Sequence, residues 1–288
     1  MSVRSNCLSS VAGRVLRQLR HDHRFLGLSL AAPLVVIGVV KIFIDSLQPA
    51  APPIPPPEAL FENLDLPPEV RQLVSEKAAQ FLSESRPKAF EPTQIAVPLG
   101  AFVVHLITYL LCALVLVRER TVQTLGRMFV SGYGQFEIIG GYILAYSAVA
   151  TVQSLLVLTE LTLLFKLKLG PDGFASVYLV VWLLAVTSVA LGIFVSNFAR
   201  TEGQVMPFIP LVAVPSILLS GVIIATDQLP GWIQWASYAT PMYYANNVIQ
   251  ELVKTDGAPL HAWGSLLALP VYGLTVLFLA SRTLVEME

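Results

Sequence analysis

Six long apolar runs alternate with shorter polar segments along this chain. Each run has the length that crosses a hydrocarbon core as a helix, about 20 residues. They lie near Phe25 to Leu47, Ile95 to Val117, Ile138 to Phe165, Ala175 to Phe198, Met206 to Ile224 and Leu260 to Arg282. The runs are continuously apolar rather than alternating, which favours helices over barrel strands. The pattern therefore predicts an all-α integral membrane protein with six transmembrane helices.

The segments between the runs carry their own periodicities. Before the first run, Val11, Val15, Leu16 and Leu19 recur at helical spacing with Arg14, Arg17 and Arg20 between them. That pattern predicts an interfacial amphipathic helix within residues 1–24, its apolar side in lipid and its arginines among phosphates. The alternative is that these arginines only set topology. Residues 48–94 open with the proline-rich "QPAAPPIPPPEALF", which favours extended structure, and continue with "EVRQLVSEKAAQFLSES", which places Val70, Leu73, Val74, Phe81 and Leu82 on one helix face. A small external cap after span one follows. Within residues 225–258, Trp232, Trp235, Tyr238, Tyr243 and Tyr244 are interface-seeking aromatics, and Pro230 and Pro241 divide the segment. Two short re-entrant helices in the outer leaflet, between spans five and six, are expected.

Composition agrees with this picture: 55% of residues are hydrophobic and 13% charged. Arg4, Arg14, Arg17, Arg20 and Arg24 precede the first run against one acid, Asp22, which puts that end in the cytoplasm. Six crossings bring the C-terminus to the same side. On this topology the inside holds ten Lys/Arg against six Asp/Glu and the outside eight against twelve, with Glu160 inside the third span. A cleaved signal peptide is the competing reading of the N-terminus; the long apolar run and the lack of a clean small-x-small site favour an uncleaved anchor. Cys7 and Cys112 fall in different environments and form no disulfide framework.

The chemistry of the chain is sparse. It contains no G-x-x-x-x-G-K-[ST] phosphate loop, no H-E-x-x-H and no G-x-S-x-G elbow. Ionisable residues inside spans are functional candidates because their charge is costly to bury. Lys41 lies near the outer end of span one and can snorkel; Glu160 lies late in span three, close enough to the surface to hydrate or pair with Lys166. His105 is the most membrane-central, as a neutral histidine bonded to a neighbouring helix or as a relay or ligand. Span five holds Pro207, Pro210 and Pro215 ahead of Ser220 and Gly221, which suits either a pathway-lining helix or a packing kink.

The stretch "RERTVQTLGRMFVSGYGQFEIIGG", residues 118 to 141, is the informative break. It is cytoplasmic on this topology and predicts a short amphipathic helix with Leu125, Met128 and Phe129 on one side and Arg120, Thr124 and Arg127 largely on others. Gly132 and Gly134 can end that helix and turn the chain towards span three. Here the sequence resembles the membrane subunits of ABC transporters of the type-2 exporter class. In that family this stretch reads Arg-Glu-Arg-Glu-Arg-Gly-Thr-Leu-Glu-Arg-Leu-Leu-Val-Ser-Pro followed by Leu-Glu-Ile. Glu119, Arg120, Thr124, Leu125, Arg127, Val130, Ser131, Glu137 and Ile138 match; Thr121, Gln123 and Gly132 depart from it. A second block resembles the family's fifth span and outer helices through Leu219, Ser220, Gly221, Leu229, Pro230, Trp232, Pro241, Tyr244 and Ala245, with Ala225 and Gln250 as departures.

The resemblance implies a permease of residues 25–288 that binds no cofactor itself. ATP and Mg would be held by a separate ABC ATPase subunit in two copies, and a second permease would complete a homodimer or related heterodimer. Residues 118–137 would be the coupling helix between spans two and three, docking in a groove of the ATPase. Glu119 would pair with basic groups there or steady the helix, Leu125, Met128 and Phe129 would supply the apolar contact, and Arg120, Thr124, Arg127, Ser131 and Glu137 complete the expected coupling set. Substrate contacts come in this family from spans two and five, which here offer Thr108, Tyr109, Phe208, Val212 and Ser216. The cargo expected is a hydrophobic or amphipathic small molecule or lipid, exported from a bacterial or archaeal plasma membrane with both termini cytoplasmic; no nucleic-acid partner is expected. Export of a polysaccharide or lipid-linked glycan is the alternative within the class. An ion-coupled secondary transporter and an intramembrane protease using Ser220 and His105 are the alternatives outside it.

Overall fold

A computed structural model describes residues 2–47, 67, 76–77, 92–167, 169–254 and 262–283. Every regular element among them is helical: α1 Ser2–His21, α2 His23–Leu47, α3 Pro92–Thr121, α4 Thr124–Val130, α5 Gln135–Leu164, α6 Pro171–Ser196, α7 Glu202–Val205, α8 Phe208–Leu218, a 3-10 turn at Thr226–Gln228, α9 Gly231–Ser237, α10 Pro241–Lys254 and α11 Trp263–Thr283. Among the described residues, five helical segments are long and apolar enough to cross a membrane: Phe25–Ser46, Gln94–Thr121, Gln135–Leu164, Pro171–Ser196 and Trp263–Thr283.

The fifth apolar run behaves differently from the other five. Its helix α8 has 11 residues, about 16 Å at 1.5 Å per residue, against a core of about 30 Å. Pro207 stands at its N-cap and Pro215 lies inside it. Proline removes an N–H and crowds the carbonyl one turn back, so this run cannot sustain one uninterrupted helix. The chain leaves the helix at Leu219, and the side-chain amide of Asn246 on α10 donates to the Ser220 carbonyl at 2.9 Å.

The contacts divide the chain into two units, residues 1–39 with 93–288 and residues 40–92. In the smaller unit the described residues are the last turns of α2, where Lys41 pairs with Asp45 one turn on, the exposed positions Pro67, Glu76 and Lys77, and Pro92 at the start of α3. The rest of the expected external cap lies outside the described residues.

In the larger unit α6 is the central helix and packs against α5, α10 and α11. Its axis also comes close to α3 at Gly192, where a Cβ would lie 2.6 Å from the Tyr109 carbonyl oxygen. Only a residue without a side chain lets the two backbones meet there, the usual way of joining helices where lipid supplies no hydrophobic drive. One cluster of buried side chains joins α3, α5, α6 and α10 around Val97, Leu161, Leu184 and Ile249. A second joins α1, α3, α4 and α5 around Val15, Leu116, Leu125 and Ile139.

That second cluster corrects the reading of the first helix. α1 is amphipathic as expected, but Val11, Val15 and Leu19 are buried at 5% exposure or less against protein rather than facing lipid. The reason lies in α5. A Cβ on Gly141 would stand 2.4 Å from the Val11 Cγ1 and 3.1 Å from the Ala12 backbone nitrogen. The glycine opens a groove into which α1 sinks, and Asp22 starts the next helix by accepting the Phe25 N–H at 3.0 Å.

Gly141→Leu should therefore lift α1 off α5. Overpacking of this kind costs about 1–3 kcal/mol, and limited trypsin digestion should cut faster at Arg14 and Arg17. Gly126→Ala, at a position with open space around it, should leave the digestion rate unchanged.

Candidate functional site

Two consecutive residues at the end of α3 organise the polar loop. Glu119 is only 3% exposed. Its Oε1 accepts a hydrogen bond from the Gln18 side-chain amide at 2.5 Å, and its Oε2 faces the Arg14 guanidinium at 3.6 Å, an ion pair without a hydrogen bond. The same Arg14 Nη2 donates to the Tyr142 hydroxyl at 3.2 Å. Glu119 thus binds α1 and α5 to the end of α3.

Arg120 points to other neighbours. Its guanidinium donates to the Ser196 carbonyl and to the Asn197 side-chain oxygen at the end of α6. The Asn197 amide in turn donates to the Ala280 carbonyl and the Thr283 hydroxyl of α11, both at 2.8 Å. Successive helical residues are about 100° apart, so the pair grips α1 and α5 with one residue and α6 and α11 with the next.

The remaining loop residues build the short helix. Gln123 adopts a left-handed backbone (φ 55°) between α3 and α4. Arg127 donates to the Thr124 hydroxyl at 3.4 Å, and the Ser131 hydroxyl to the Arg127 carbonyl at 2.8 Å. Glu137 accepts the Gly134 N–H at 3.0 Å and caps the start of α5. Leu125 and Met128 are buried at 4% and 6% exposure in the cluster with Val11 and Val15, and Phe129 is half-buried beside them. Exposed apolar residues here are Val122 in the turn before α4, Val130 at its end and Phe136 in the first turn of α5, at 55%, 91% and 64% exposure. Val122 and Val130 are missed by a reading that follows only the strongest apolar stripe: Val122 precedes the left-handed Gln123, and Val130 ends α4.

The five residues expected along a substrate path separate into two places. Tyr109 is fully buried, and its hydroxyl donates to the Phe208 carbonyl at 3.0 Å. Phe208 and Val212 are half-buried in a cluster with Tyr109, Leu191 and Val195. Ser216, 1% exposed, lies 3.2 Å from His105 Nε2. Thr108 instead turns to α5 and donates to Gln153 Oε1 at 3.1 Å.

His105 links three helices. Its Nδ1 is 2.7 Å from the Ser188 hydroxyl oxygen, and that hydroxyl spends its proton on the Leu184 carbonyl at 2.6 Å. Nδ1 must therefore donate, leaving Nε2 to accept from Ser216: a neutral imidazole serving as a bond between α3, α6 and α8. Ser220, the alternative partner considered for His105, donates to the Ile217 carbonyl instead. At full burial the Ser216–His105 pair has no exposed face on which to meet a substrate. Glu160 keeps one buried carboxylate oxygen without a hydrogen-bond partner, and no ion pair joins it to Lys166 among the described residues. No group of three or more potential metal ligands occurs among the described residues.

The sequence pattern of the ABC-2 type transporter family matches residues 70–253. A protein of Escherichia coli (strain K12) named "Probable multidrug ABC transporter permease YbhR" is 25% identical over 158 residues, 55% of this chain and 43% of that protein. "ABC transporter G family member 20" of Dictyostelium discoideum is 25% identical over 176 residues, 60% of this chain and 24% of that one. The chain thus aligns with less than half the length of either relative.

The histidine link is open to a double-mutant cycle. His105→Phe and Ser216→Ala should each lower the thermal midpoint, and the double variant should cost less than their sum. The coupling expected is about 0.6–1.7 kcal/mol, the range for hydrogen bonds between membrane helices. Strict additivity would show that the two residues do not bond.

Proposed function

The chain belongs to the ABC-2 type transporter family, and we propose that it is the membrane-spanning permease of an exporter driven by ATP hydrolysis on a separate subunit. Its cargo is a hydrophobic or amphipathic small molecule or lipid taken from the cytoplasm or inner leaflet. The relative named as a multidrug permease supports that cargo class, as does the apolar character of the segments around α3 and α8. In this reading the α7–α8 segment and the residues to Ile224 make a sixth, broken crossing, which places both termini in the cytoplasm with α1 and α4. Two ATPase subunits and a second permease complete the assembly.

The observation that carries the proposal is the exposed apolar surface in and around α4. Val122 in the turn before α4, Val130 at its end and Phe136 in the first turn of α5 expose apolar surface near the exposed Arg118 and Arg127, while Leu125 and Met128 of α4 are spent on the protein's own core. An apolar patch in water, rimmed by charge and held by buried contacts on its inner side, has the character of a docking surface. The docking contact is accordingly assigned to Val122, Val130 and Phe136, with Leu125 and Met128 supporting the helix from behind. Glu119 and Arg120 carry displacement of that helix into α1, α5, α6 and α11. Closure of the ATPase pair on ATP would move α4, and the tie at Arg120 would pass the motion to the membrane helices.

Val122→Asp/Val130→Asp should abolish co-purification of an ATPase from native membranes while leaving the thermal midpoint of the permease unchanged. Retention of the ATPase by that variant would remove α4 as the docking element. If the unaltered chain brings no ATPase with it, the exporter reading fails.

A further inference from the structure

Thr108, Tyr109 and Ser216 of the expected substrate path are buried, whereas a chain of accessible aromatic rings runs where α9, α10 and α11 meet. Trp235 of α9 is 79% exposed and Tyr238, in the connection to α10, is 51% exposed. Tyr243 and Tyr244 of α10 and Tyr272 of α11 are half-buried. Ring centres lie 6.3 Å apart from Trp235 to Tyr238, 5.2 Å from Tyr238 to Tyr243 and 5.3 Å from Tyr243 to Tyr244. The planes of these pairs meet at 67°, 77° and 77°. Rings set near right angles form corners, as the walls of an aromatic cage do, and not a flat stack.

The backbone that carries the rings is fixed from the protein side. The Tyr244 hydroxyl donates to the Tyr238 carbonyl at 2.9 Å, and the Tyr272 hydroxyl donates to the Ala239 carbonyl at 2.8 Å. Both carbonyls follow the last residue of α9, where the helix leaves acceptors open. A guest therefore meets an ordered surface, which favours its binding. Tyr272 stands nine residues into α11, a helix long and apolar enough to cross a membrane, and that is about 13 Å along the axis. The connection thus lies beside this helix rather than beyond its end.

Charge selects the guest. From Ala225 to Val253 the chain carries Asp227 and Glu251 and no Lys, Arg or His, and Trp263 to Ser281 of α11 carries no charge at all. No cation on these stretches competes for the ring faces, and the only fixed charges on them are negative. A cation is attracted to an aromatic face within about 6 Å of its centre, and centres 6.3 Å apart leave positions within reach of both Trp235 and Tyr238.

We propose that Trp235, Tyr238 and Tyr243 form a binding site for a free amphipathic cation with an apolar or aromatic body. Resting on the exporter reading above, the site narrows the cargo to hydrophobic cations and places their contact at the α9–α10 connection instead of the buried Ser216–His105 pair.

Binding of tritiated tetraphenylphosphonium to the full chain in phosphatidylcholine nanodiscs, whose choline headgroups are the competing occupant, tests the site without an ATPase. Saturable binding is expected, weakened about tenfold in Trp235→Leu/Tyr238→Leu, the loss of two ring contacts. Trp263→Leu, which removes an exposed ring outside the chain of contacts, should bind as the unaltered protein does, and Trp235→Phe should retain most of the affinity. Tetraphenylborate, an anion of the same shape, should not displace the phosphonium. If the double variant unfolds, Trp235→Leu alone should still weaken binding about threefold. Absence of saturable binding, equal affinity in the leucine variants, equal loss in Trp263→Leu or displacement by the borate would each overturn the proposal. None of these outcomes bears on ATPase co-purification, which tests the exporter reading separately.

Discussion

A carboxylate buried at the end of a membrane helix is the constraint from which the architecture around the polar loop follows. Glu119 has 3% of its surface exposed, and an isolated charge in that position would be too costly to keep. Gln18 and Arg14 supply the compensation, and both sit on α1. The first helix is thereby required in the structure rather than laid against it, and Arg14 extends the tie to Tyr142 of α5. The groove at Gly141 allows the approach, the carboxylate rewards it, and Val11, Val15 and Leu19 seal it.

Arg120 gives the same helix end a second hold, on the far side. Through Ser196 and Asn197 it reaches the ends of α6 and α11. The loop that follows is therefore anchored in two directions before α4 begins, and α4 itself is pinned by Leu125 and Met128. What remains exposed is apolar surface at Val122, Val130 and Phe136, in and around α4. Deeper in the membrane, α8 is held to α3 by two side-chain bonds one turn apart on α3, from Tyr109 and His105. Those bonds are spaced further apart along α8, at Phe208 and Ser216, so the short proline-bearing helix is tied at both ends.

Much of this was legible in the apolar pattern, and the rest was hidden for definite physical reasons. The long runs became helices, and the fifth run, already marked by three prolines, became a short helix with a turn after it. The polar break at 118–141 emerged as a separate helix because Gln123 and the glycines interrupt the chain where the apolar period ends. Amphipathy, however, says that a helix has an apolar face and not what covers it. For that reason Val11 and Val15 were expected in lipid, and Leu125 and Met128 were expected against a partner, although all four serve the same internal cluster. The partners of Glu119 and Arg120 lie 101 and 76 residues away, and no local spacing announces contacts of that range. Thr108 and Tyr109 are neighbours in sequence but turn to different helices, α5 and α8, a separation that span membership alone conceals.

Hydrogen–deuterium exchange on Glu119→Gln and Arg120→Gln, compared with the unaltered chain in the same bilayer, tests the two-sided anchor most directly. The account predicts that the first substitution speeds exchange in α1 and the start of α5, and that the second speeds it at the ends of α6 and α11. Exchange in α4 should rise in both. If either substitution loosens all five regions alike, or leaves its assigned pair unchanged, the two residues do not divide the helices between them and the anchor is wrong.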